Sequence, residues 1–329
     1  MRIGLDVMGG DRGPGEVIAG ALGAREFLGD GDCIVLVGDQ TVIDKHLGES
    51  ESCSYIEIKH AEEAIGMGEP PVEALRAKPK SSIAVMAIMQ HEGELDACVS
   101  AGNTGACVAA AQMRLRRLKG VHRPGIAVLA PTFHGPVALC DVGANVNCRP
   151  RHLHQYGLMT SIYMSAVCDM EAPRVGLLSI GQEEGKGNDL VKKASDLMKE
   201  DPHINFVGNV EGHDLLRNVM DVMVCEGFVG NVVLKLTEGL GQGVAHGLIE
   251  QLKLIMPDQI ERIRQAAKNI SKMYDSNQHG GAPLLGINGT WIICHGAINS
   301  VGIKHAIREA KQCLDHNVNQ RITQQIGGR

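Results

Sequence analysis

Short apolar runs alternate along the chain with stretches of helical periodicity, and a glycine-containing turn usually separates one from the next. Apolar or β-branched runs predict strands at residues 2–7, 33–37, 55–58, 97–100, 126–130, 137–141, 175–180, 204–208, 222–225 and 291–295. Apolar residues at helical spacing predict helices at residues 16–28, 81–90, 152–168, 188–200 and 300–316, and another that opens in AGNTGA and runs through Arg117.

Strands that alternate with helices are joined by right-handed crossovers and form a largely parallel sheet. The pattern therefore predicts the α/β class, with three layers in which helices cover both faces of the sheet. Because ligands bind at the carboxyl ends of parallel strands, the glycine loops there are the candidate site. We expect one edge of the sheet to collect Asp6, Gly102, Asp141, Gly181 and Gly227.

Composition narrows the function classes. The chain has 329 residues and a net charge of −6; it is 44% apolar and only 3% aromatic. This apolar content can form a real core, whereas the acidic balance and scarce aromatics argue against nucleic acid as a partner. No apolar run is long enough for a transmembrane helix, and the opening MRIGLDVMGGD is typical of a strand rather than an export signal. No repeat or linker divides the chain, so we expect a single domain over residues 1–329.

Two loops in the first third of the chain could bind an anion. In the first, Gly9 and Gly10 allow a close backbone approach to a ligand after Asp6, although a tight turn capped by Asp11 explains the same residues. In the second, SAGNTG precedes a helix, where free N–H groups suit a phosphate, and Asn103 and Thr104 add donors. An ordinary helix-capping turn is the alternative there.

Two later loops add amides and a cation. The sequence DVGANVNCRP places Asp141, Asn145 and Asn147 at a strand end, where amides could polarise a carbonyl or simply favour a turn. The sequence GQEEGKGN places Lys186 between glycines, just before Asn188. Such a lysine can swing onto a phosphate oxygen, or it can be an ordinary solvated side chain.

Two further loops could orient a substrate, and the signatures of covalent catalysis are missing. Gly227 and Gly230 bracket a turn that delivers Asn231 at the start of a helix, and residues 280–289 could form a wall against a lipid or thioester. Neither GxSxG nor a reactive-cysteine signature is present. The loops instead suit a reaction in which the substrate itself, such as inorganic phosphate, is the nucleophile.

In order along nearly the whole chain, these segments resemble the phosphate acyltransferase family of bacterial phospholipid synthesis. The matching segments are DVMGGDRGP (6–14), GEPPVEALRAKPKSSI (68–83), VSAGNTGA (99–106), DVGANVNCRPRHLHQYGLMTSIY (141–163), RVGLLSIGQEEGKGN (174–188), INFVGNVEGHDLL (204–215), CEGFVGNVVLK (225–235) and GGAPLLGINGTWIICHG (280–296).

The resemblance implies transfer of a fatty acyl group from acyl-acyl carrier protein to inorganic phosphate, giving acyl phosphate for phosphatidic acid synthesis. It implies a fold of the isocitrate/isopropylmalate dehydrogenase type, a homodimer, and no metal or nucleotide cofactor. It also implies a cytoplasmic protein, peripheral on the inner membrane surface and linked to a membrane glycerol-3-phosphate acyltransferase. Lys186 and Asn231 become the catalytic pair. The residues expected to bind phosphate or the rest of the substrate are Asp6, Gly9, Gly10, Asn103, Thr104, Asp141, Asn145, Asn147 and Asn188.

Two readings stay open beside this one. The acyl donor could be coenzyme A, or the chain could be a nucleotide-dependent dehydrogenase or a non-catalytic ligand-binding protein, although no GxGxxG follows the first strand. An acidic carrier protein needs a basic surface, which a cluster near one helix end could supply or which could be plain solvated surface. That cluster is Arg114, Arg116, Arg117, Lys119 and Arg123. The amphipathic segment 248–274 is expected to protrude, either packing against protein or lying on a membrane.

Overall fold

The computed structural model describes residues 1–48, 53–273, 278 and 280–327. The strands are β1 (Arg2–Asp6), β2 (Cys33–Gly38), β3 (Ile56–His60), β4 (Ala97–Ser100), β5 (Gly125–Thr132), β6 (Gly135–Cys140), β7 (Arg174–Leu178), β8 (Asn205–Val210), β9 (Val222–Val224), β10 (Ala282–Leu285) and β11 (Thr290–Ile293). The helices are α1 (Pro14–Gly23), α2 (Gln40–Leu47), α3 (Pro71–Ala77), α4 (Ser82–His91), α5 (Thr104–Arg114), α6 (Pro150–Val167), α7 (Asp189–Glu200), α8 (Gly227–Ile255), α9 (Ile260–Met273), α10 (Ser300–Asp315) and α11 (Val318–Gly327).

Helices cover both faces of one eleven-stranded sheet, whose order is β3-β2-β1-β4-β11-β10-β5-β6-β9-β7-β8. Successive residues of each buried strand point to opposite faces. Ile34 and Leu36 therefore join the apolar cluster on one face, and Val35 and Val37 join the cluster on the other. The predicted α/β class with three layers and a largely parallel sheet is confirmed.

The sheet reverses direction at its centre. The pairs β11–β10, β10–β5 and β5–β6 are antiparallel, whereas the pairs on either side of them are parallel. Strands β1 to β4 and β11 consequently run opposite to β6 to β9. The prediction of a single shared edge is wrong for this reason: Asp6 and Gly102 follow strands that end at one edge, whereas Asp141, Gly181 and Gly227 follow strands that end at the other.

Several elements differ from their prediction. The helix expected through Arg117 ends at Arg114, because Arg116 adopts a left-handed backbone conformation with φ of 66°. The loop expected at residues 280–289 contains β10, which pairs with both β11 and β5. Helix α8 already begins at Gly227, so Asn231 lies in its second turn and not at its start.

The segment 248–274 forms the last part of α8, a turn at Pro257–Gln259 and helix α9, and its last residue, Tyr274, lies outside the described residues. Helices α8 and α9 pack against each other. Among the described helices, none combines the length and the apolarity needed to cross a bilayer.

Candidate active site

A cavity of about 460 Å³ lies between α8 and the central strands β5, β10 and β11. Much of its wall is apolar, and these side chains are Met67, Ile126, Val128, Leu129, Ala130, Pro131, Val142, Leu234, Ala282 and Ile293. The cavity joins the two edges of the sheet, because Thr104 follows β4 on one side and Gly143 follows β6 on the other. The loops of the two edges thus contribute to one site despite the reversal of the sheet.

Polar groups in the same wall come from four separate segments. Asp11 and His295 belong to the loops after β1 and β11, Thr104 is the first residue of α5, and Asn231 and Lys235 belong to α8. The Lys235 ammonium donates to a Glu238 carboxylate oxygen at 2.9 Å. The His295 Nδ1 accepts from the Ala297 N–H at 3.1 Å, so the neutral imidazole carries its proton on Nε2. The cavity therefore offers hydrogen-bond donors, a cation and two carboxylates, those of Asp11 and Glu238, beside an apolar wall.

The loop after β1 is held against the loop after β4. Ser100 Oγ donates to the buried Asp6 carboxylate at 2.6 Å, and burial raises the pKa of Asp6. A Cβ on Gly9 would lie 2.5 Å from the Gly102 nitrogen, so only glycine allows this approach. Gly10, the second glycine of the pair, has φ of 97°. These residues fix the backbone of the two loops.

Asn103 also has its polar atoms engaged within the protein. Its Oδ1 caps α5 by accepting from the Ala106 N–H at 3.0 Å. Its Nδ2 donates to the carbonyls of Gly66, Met67 and Glu69 at 3.0–3.2 Å. Asn103 therefore ties the segment that contains Met67 to the cavity, and Thr104 beside it lines the cavity directly.

Asp141 organises the loop after β6. Its carboxylate is fully buried, which raises its pKa, and it accepts from the N–H groups of Ile126, Ala144 and Asn145 at 2.7–3.1 Å. Asn145 Nδ2 donates to the Pro124 carbonyl at 2.6 Å, and the Asn145 carbonyl accepts from the Gly227 N–H. This loop thereby positions the first turn of α8, whereas Asn147 is exposed.

Lys186 and Asn188 lie in the loop between β7 and α7. Asn188 caps α7, because its Oδ1 accepts from the Val191 N–H at 3.0 Å. Lys186 is exposed, and its backbone N–H donates to the Glu183 carbonyl. Neither side chain is part of the cavity wall, so the structure brings only Thr104 and Asn231 of the predicted polar side chains into the cavity itself.

Sequence reasoning missed Lys235 and His295. Lys235 follows Asn231 by four residues, which puts both on one face of a helix, so the spacing within GNVVLK carries the signal. His295 lies in the loop just after β11, where a ligand-facing position could have been expected. Within the described ranges, no three His, Cys, Asp or Glu side chains come together in a way that could hold a metal ion.

Comparison with known proteins agrees with this fold. A family model described as fatty acid synthesis protein matches residues 1–321. A phosphate acyltransferase from Thermosynechococcus vestitus is 46% identical over 325 residues, which cover 98% of this chain and 94% of that protein. A phosphotransacetylase structure from Streptococcus pyogenes superposes with a TM-score of 0.65 at 17% identity, covering 96% of this chain and 94% of the other. A 4-hydroxythreonine-4-phosphate dehydrogenase from Burkholderia phymatum gives a TM-score of 0.50 at 14% identity, covering 94% and 97%.

The two structural likenesses confirm the expected dehydrogenase-type fold, which phosphotransacetylases share. Together with the sequence relationship, the fold and the cavity define an α/β acyltransferase. The chain belongs to the phosphate acyltransferase family, whose relatives match it over nearly their full length.

Proposed function

We propose that the protein transfers a fatty acyl group from acyl-acyl carrier protein to inorganic phosphate, and that the acyl phosphate enters phospholipid synthesis. The observation that carries this proposal is the cavity, which joins an apolar wall suited to an acyl chain to donors suited to phosphate. Residues 1–329 act as one phosphate acyltransferase domain in this proposal. No metal or nucleotide takes part.

In the reaction, a phosphate oxygen attacks the thioester carbonyl carbon and forms a new C–O bond. The C–S bond then breaks, and the thiolate of the carrier's prosthetic arm leaves as the thiol after it takes up the proton that hydrogenphosphate loses. Asn231 would donate its amide N–H to the carbonyl oxygen as negative charge develops there. Lys186 would neutralise the phosphate, and Lys235, which lines the cavity, is a second cation for the same role. Asn103, Thr104 and Asn145 complete the anion pocket. Thr104 would do so directly from the cavity wall, and Asn103 and Asn145 would do so by holding the backbone of the loops.

Acyl-phosphate formation tests the proposal. Purified protein is incubated with inorganic phosphate and either long-chain acyl-acyl carrier protein or the matching acyl-coenzyme A, and the product is trapped with hydroxylamine. Product mainly from the carrier-bound donor is expected. Product mainly from coenzyme A would keep phosphate as the acceptor but replace the donor, and no product from either donor in folded protein would contradict the proposal.

We propose that the hairpin of α8 and α9 forms the homodimer contact. We also propose that this hairpin contacts the inner membrane surface from the cytoplasm, near a glycerol-3-phosphate acyltransferase. Large apolar side chains are exposed at every fourth position of α8, and they are Val232, Leu236, Leu240, Val244 and Leu248. Light scattering of the purified protein tests the dimer. Co-sedimentation with liposomes of anionic lipid tests the membrane contact, and complete absence from the lipid pellet would remove it.

A further inference from the structure

A long internal part of the chain carries almost no negative charge. Residues 97–168 contain one acidic side chain, Asp141, and that carboxylate is fully buried. The same stretch contains seven basic residues, which are Arg114, Arg116, Arg117, Lys119, Arg123, Arg149 and Arg151. In a chain with a net charge of −6, this stretch forms a local region of positive charge.

The fold brings four of these cations together. Arg117 donates to the His122 carbonyl, and His122 in turn donates its backbone N–H to Gln155 of α6 at 2.8 Å. Arg149 and Arg151 lie at the start of α6, where acidic side chains are the usual choice. We call Arg117, Arg123, Arg149 and Arg151, all of them exposed, the basic surface.

His152 gives a second sign that these charges lie close together. Burial lowers the pKa of His152, and the nearby charges of Arg123, His122, Arg149 and Arg117 lower it further. The basic surface is thus a concentration of positive charge that the described part of the chain leaves open to an anionic partner.

A pocket of about 330 Å³ lies beside the basic surface. Arg151 and His122, both exposed, line it, and its apolar lining consists of Leu158, Leu197 and Ile326. His154, which also lines it, is paired with Asp201 at 2.8 Å. A pocket with an apolar lining and an exposed arginine fits one apolar side chain that projects from an acidic surface.

The basic surface also adjoins the active-site cavity. Arg123 is followed by Pro124 and Gly125, and the next residue, Ile126, lines the cavity. The Pro124 carbonyl accepts from Asn145 in the loop after β6, and Val142 at the start of that loop lines the cavity as well. A partner on the basic surface would therefore stand beside the loop after β6, which forms part of the cavity wall.

We propose that the basic surface and its pocket are the docking site for an acidic carrier protein, which seats an acidic helix along the arginines and an apolar side chain in the pocket. This inference rests on the proposed function, because it assumes that the acyl donor is bound to a carrier protein. The proposed docking site extends the predicted basic cluster to α6. Arg123 and Arg151 are the central contacts of this docking site.

Charge reversal tests the docking site. The double variant Arg123→Glu/Arg151→Glu is compared with Lys45→Glu/Lys59→Glu, which makes the same change in net charge on exposed residues of α2 and β3. A glutamate at position 151 suits the first turn of α6, so the fold should be kept. Each protein is assayed with long-chain acyl-acyl carrier protein and with acyl-pantetheine, a thioester with neither protein nor charge.

The docking variant should raise the KM for the carrier-bound donor by about tenfold or more, and it should weaken the dependence of that KM on salt. Its turnover of acyl-pantetheine should stay within about twofold of wild type, as should both activities of the control. Equal KM values in the two double variants, or loss with both donors, would overturn the docking site while the proposed function stands. Wild-type protein that uses acyl-coenzyme A but not the carrier-bound donor would overturn both.

Discussion

Asn231 faces the cavity from the second turn of α8. If its amide donates to the thioester oxygen, Asn231→Ala should lower kcat by on the order of 10²-fold, which is the usual cost of removing one oxyanion donor. The side chain is exposed, so thermal stability should change little. Steady-state kinetics with both substrates, beside a melting curve, make the measurement. A kcat within twofold of wild type would assign the oxyanion contact to another group.

Lys235 lies one turn further along α8 and contributes the cation of the cavity wall. Lys235→Met should raise the KM for phosphate by on the order of tenfold, because it removes one partly solvated charge from an anion site. Glu238→Gln is the matched control, since it breaks the 2.9 Å ion pair but keeps the ammonium. A phosphate KM that rises equally in both variants would mean that the ion pair, and not the cation, matters.

Lys186 lies on an exposed loop outside the cavity wall, so its role depends on movement of its side chain toward phosphate. Lys186→Ala should remove most of the turnover and leave the fold intact, as judged by circular dichroism and melting temperature. Lys192→Ala, an exposed lysine of the following helix, is the control and should retain activity. Near-wild-type rates in Lys186→Ala would end its assignment as a catalytic residue.

The predicted ligand-binding residues show what a sequence can and cannot tell at this scale. Asp6, Asp141 and Asn103 were expected at the site because polar residues in glycine loops favour ligand binding. The structure gives each of them several partners within the protein, so they hold the loops that form the site. The same residue types serve in ligand binding and in holding loops together, and only the interatomic distances in the structure distinguish the two roles. Their direct contact with substrate stays a prediction.

The start of α8 is pressed against the loop after β6. A Cβ on Gly230 would lie 2.0 Å from the Asp141 carbonyl oxygen, whereas a Cβ on Gly239 of the same helix would meet nothing within 4 Å. Gly230→Ala should therefore lower the free energy of unfolding by about 1–3 kcal/mol and lower kcat by displacing Asn231. Gly239→Ala should raise stability by up to about 1 kcal/mol. Urea titration of both variants checks this contrast, which equal effects would contradict.

Helices α6 and α10 meet at a buried pair in which the Tyr163 hydroxyl donates to Glu309 Oε1 at 2.5 Å. Burial raises the pKa of Glu309 despite this hydrogen bond. A carboxyl group whose pKa is raised in the folded state binds more protons folded than unfolded, so its contribution to stability falls as the pH rises above its unfolded pKa of about 4.3.

Glu309→Gln removes that titration and keeps a hydrogen-bond acceptor. The variant should gain stability relative to wild type between pH 4 and pH 7, as measured by urea midpoints at both ends of this range. Tyr163→Phe serves as the comparison, because it removes the hydrogen bond but keeps the carboxyl group. A stability difference between Glu309→Gln and wild type that is the same at both pH values would show that Glu309 does not control this dependence.

The sequence predicted every described strand except β10, most of them within a few residues and β4 at its observed bounds, whereas helices α2, α3 and α11 were not predicted. Apolar periodicity is a local property. It predicted those strands and helices whose buried side chains recur at regular spacing along the sequence. Strand β10 was missed because Pro283 and the flanking glycines are typical of a loop, and its partners β5 and β11 are supplied by the tertiary fold. The length of α8 was missed because repeated glycines between residues 239 and 247 weaken its helical pattern.

At the scale of the whole molecule, the antiparallel centre of the sheet decides what the active site can be. In a fully parallel sheet all glycine loops would share one edge; here Thr104 and Asn231 come from opposite edges and meet across the cavity. Alternation of strands and helices does not report the direction of strands that pair far apart in sequence, so this property had to come from the structure. A bound substrate should consequently contact segments from both edges of the sheet.

Hydrogen exchange measured by mass spectrometry tests this connection. A long-chain acyl phosphonate, a stable analogue of acyl phosphate, should slow amide exchange both at the start of α5 (Thr104–Arg114) and in the first turns of α8 (Gly227–Ile255), because one ligand contacts both. Helix α10, which does not line the cavity, should exchange as in the free protein. Protection confined to one of the two cavity segments would mean that the ligand occupies one half of the sheet, and that the cavity between them is not the site of acyl transfer.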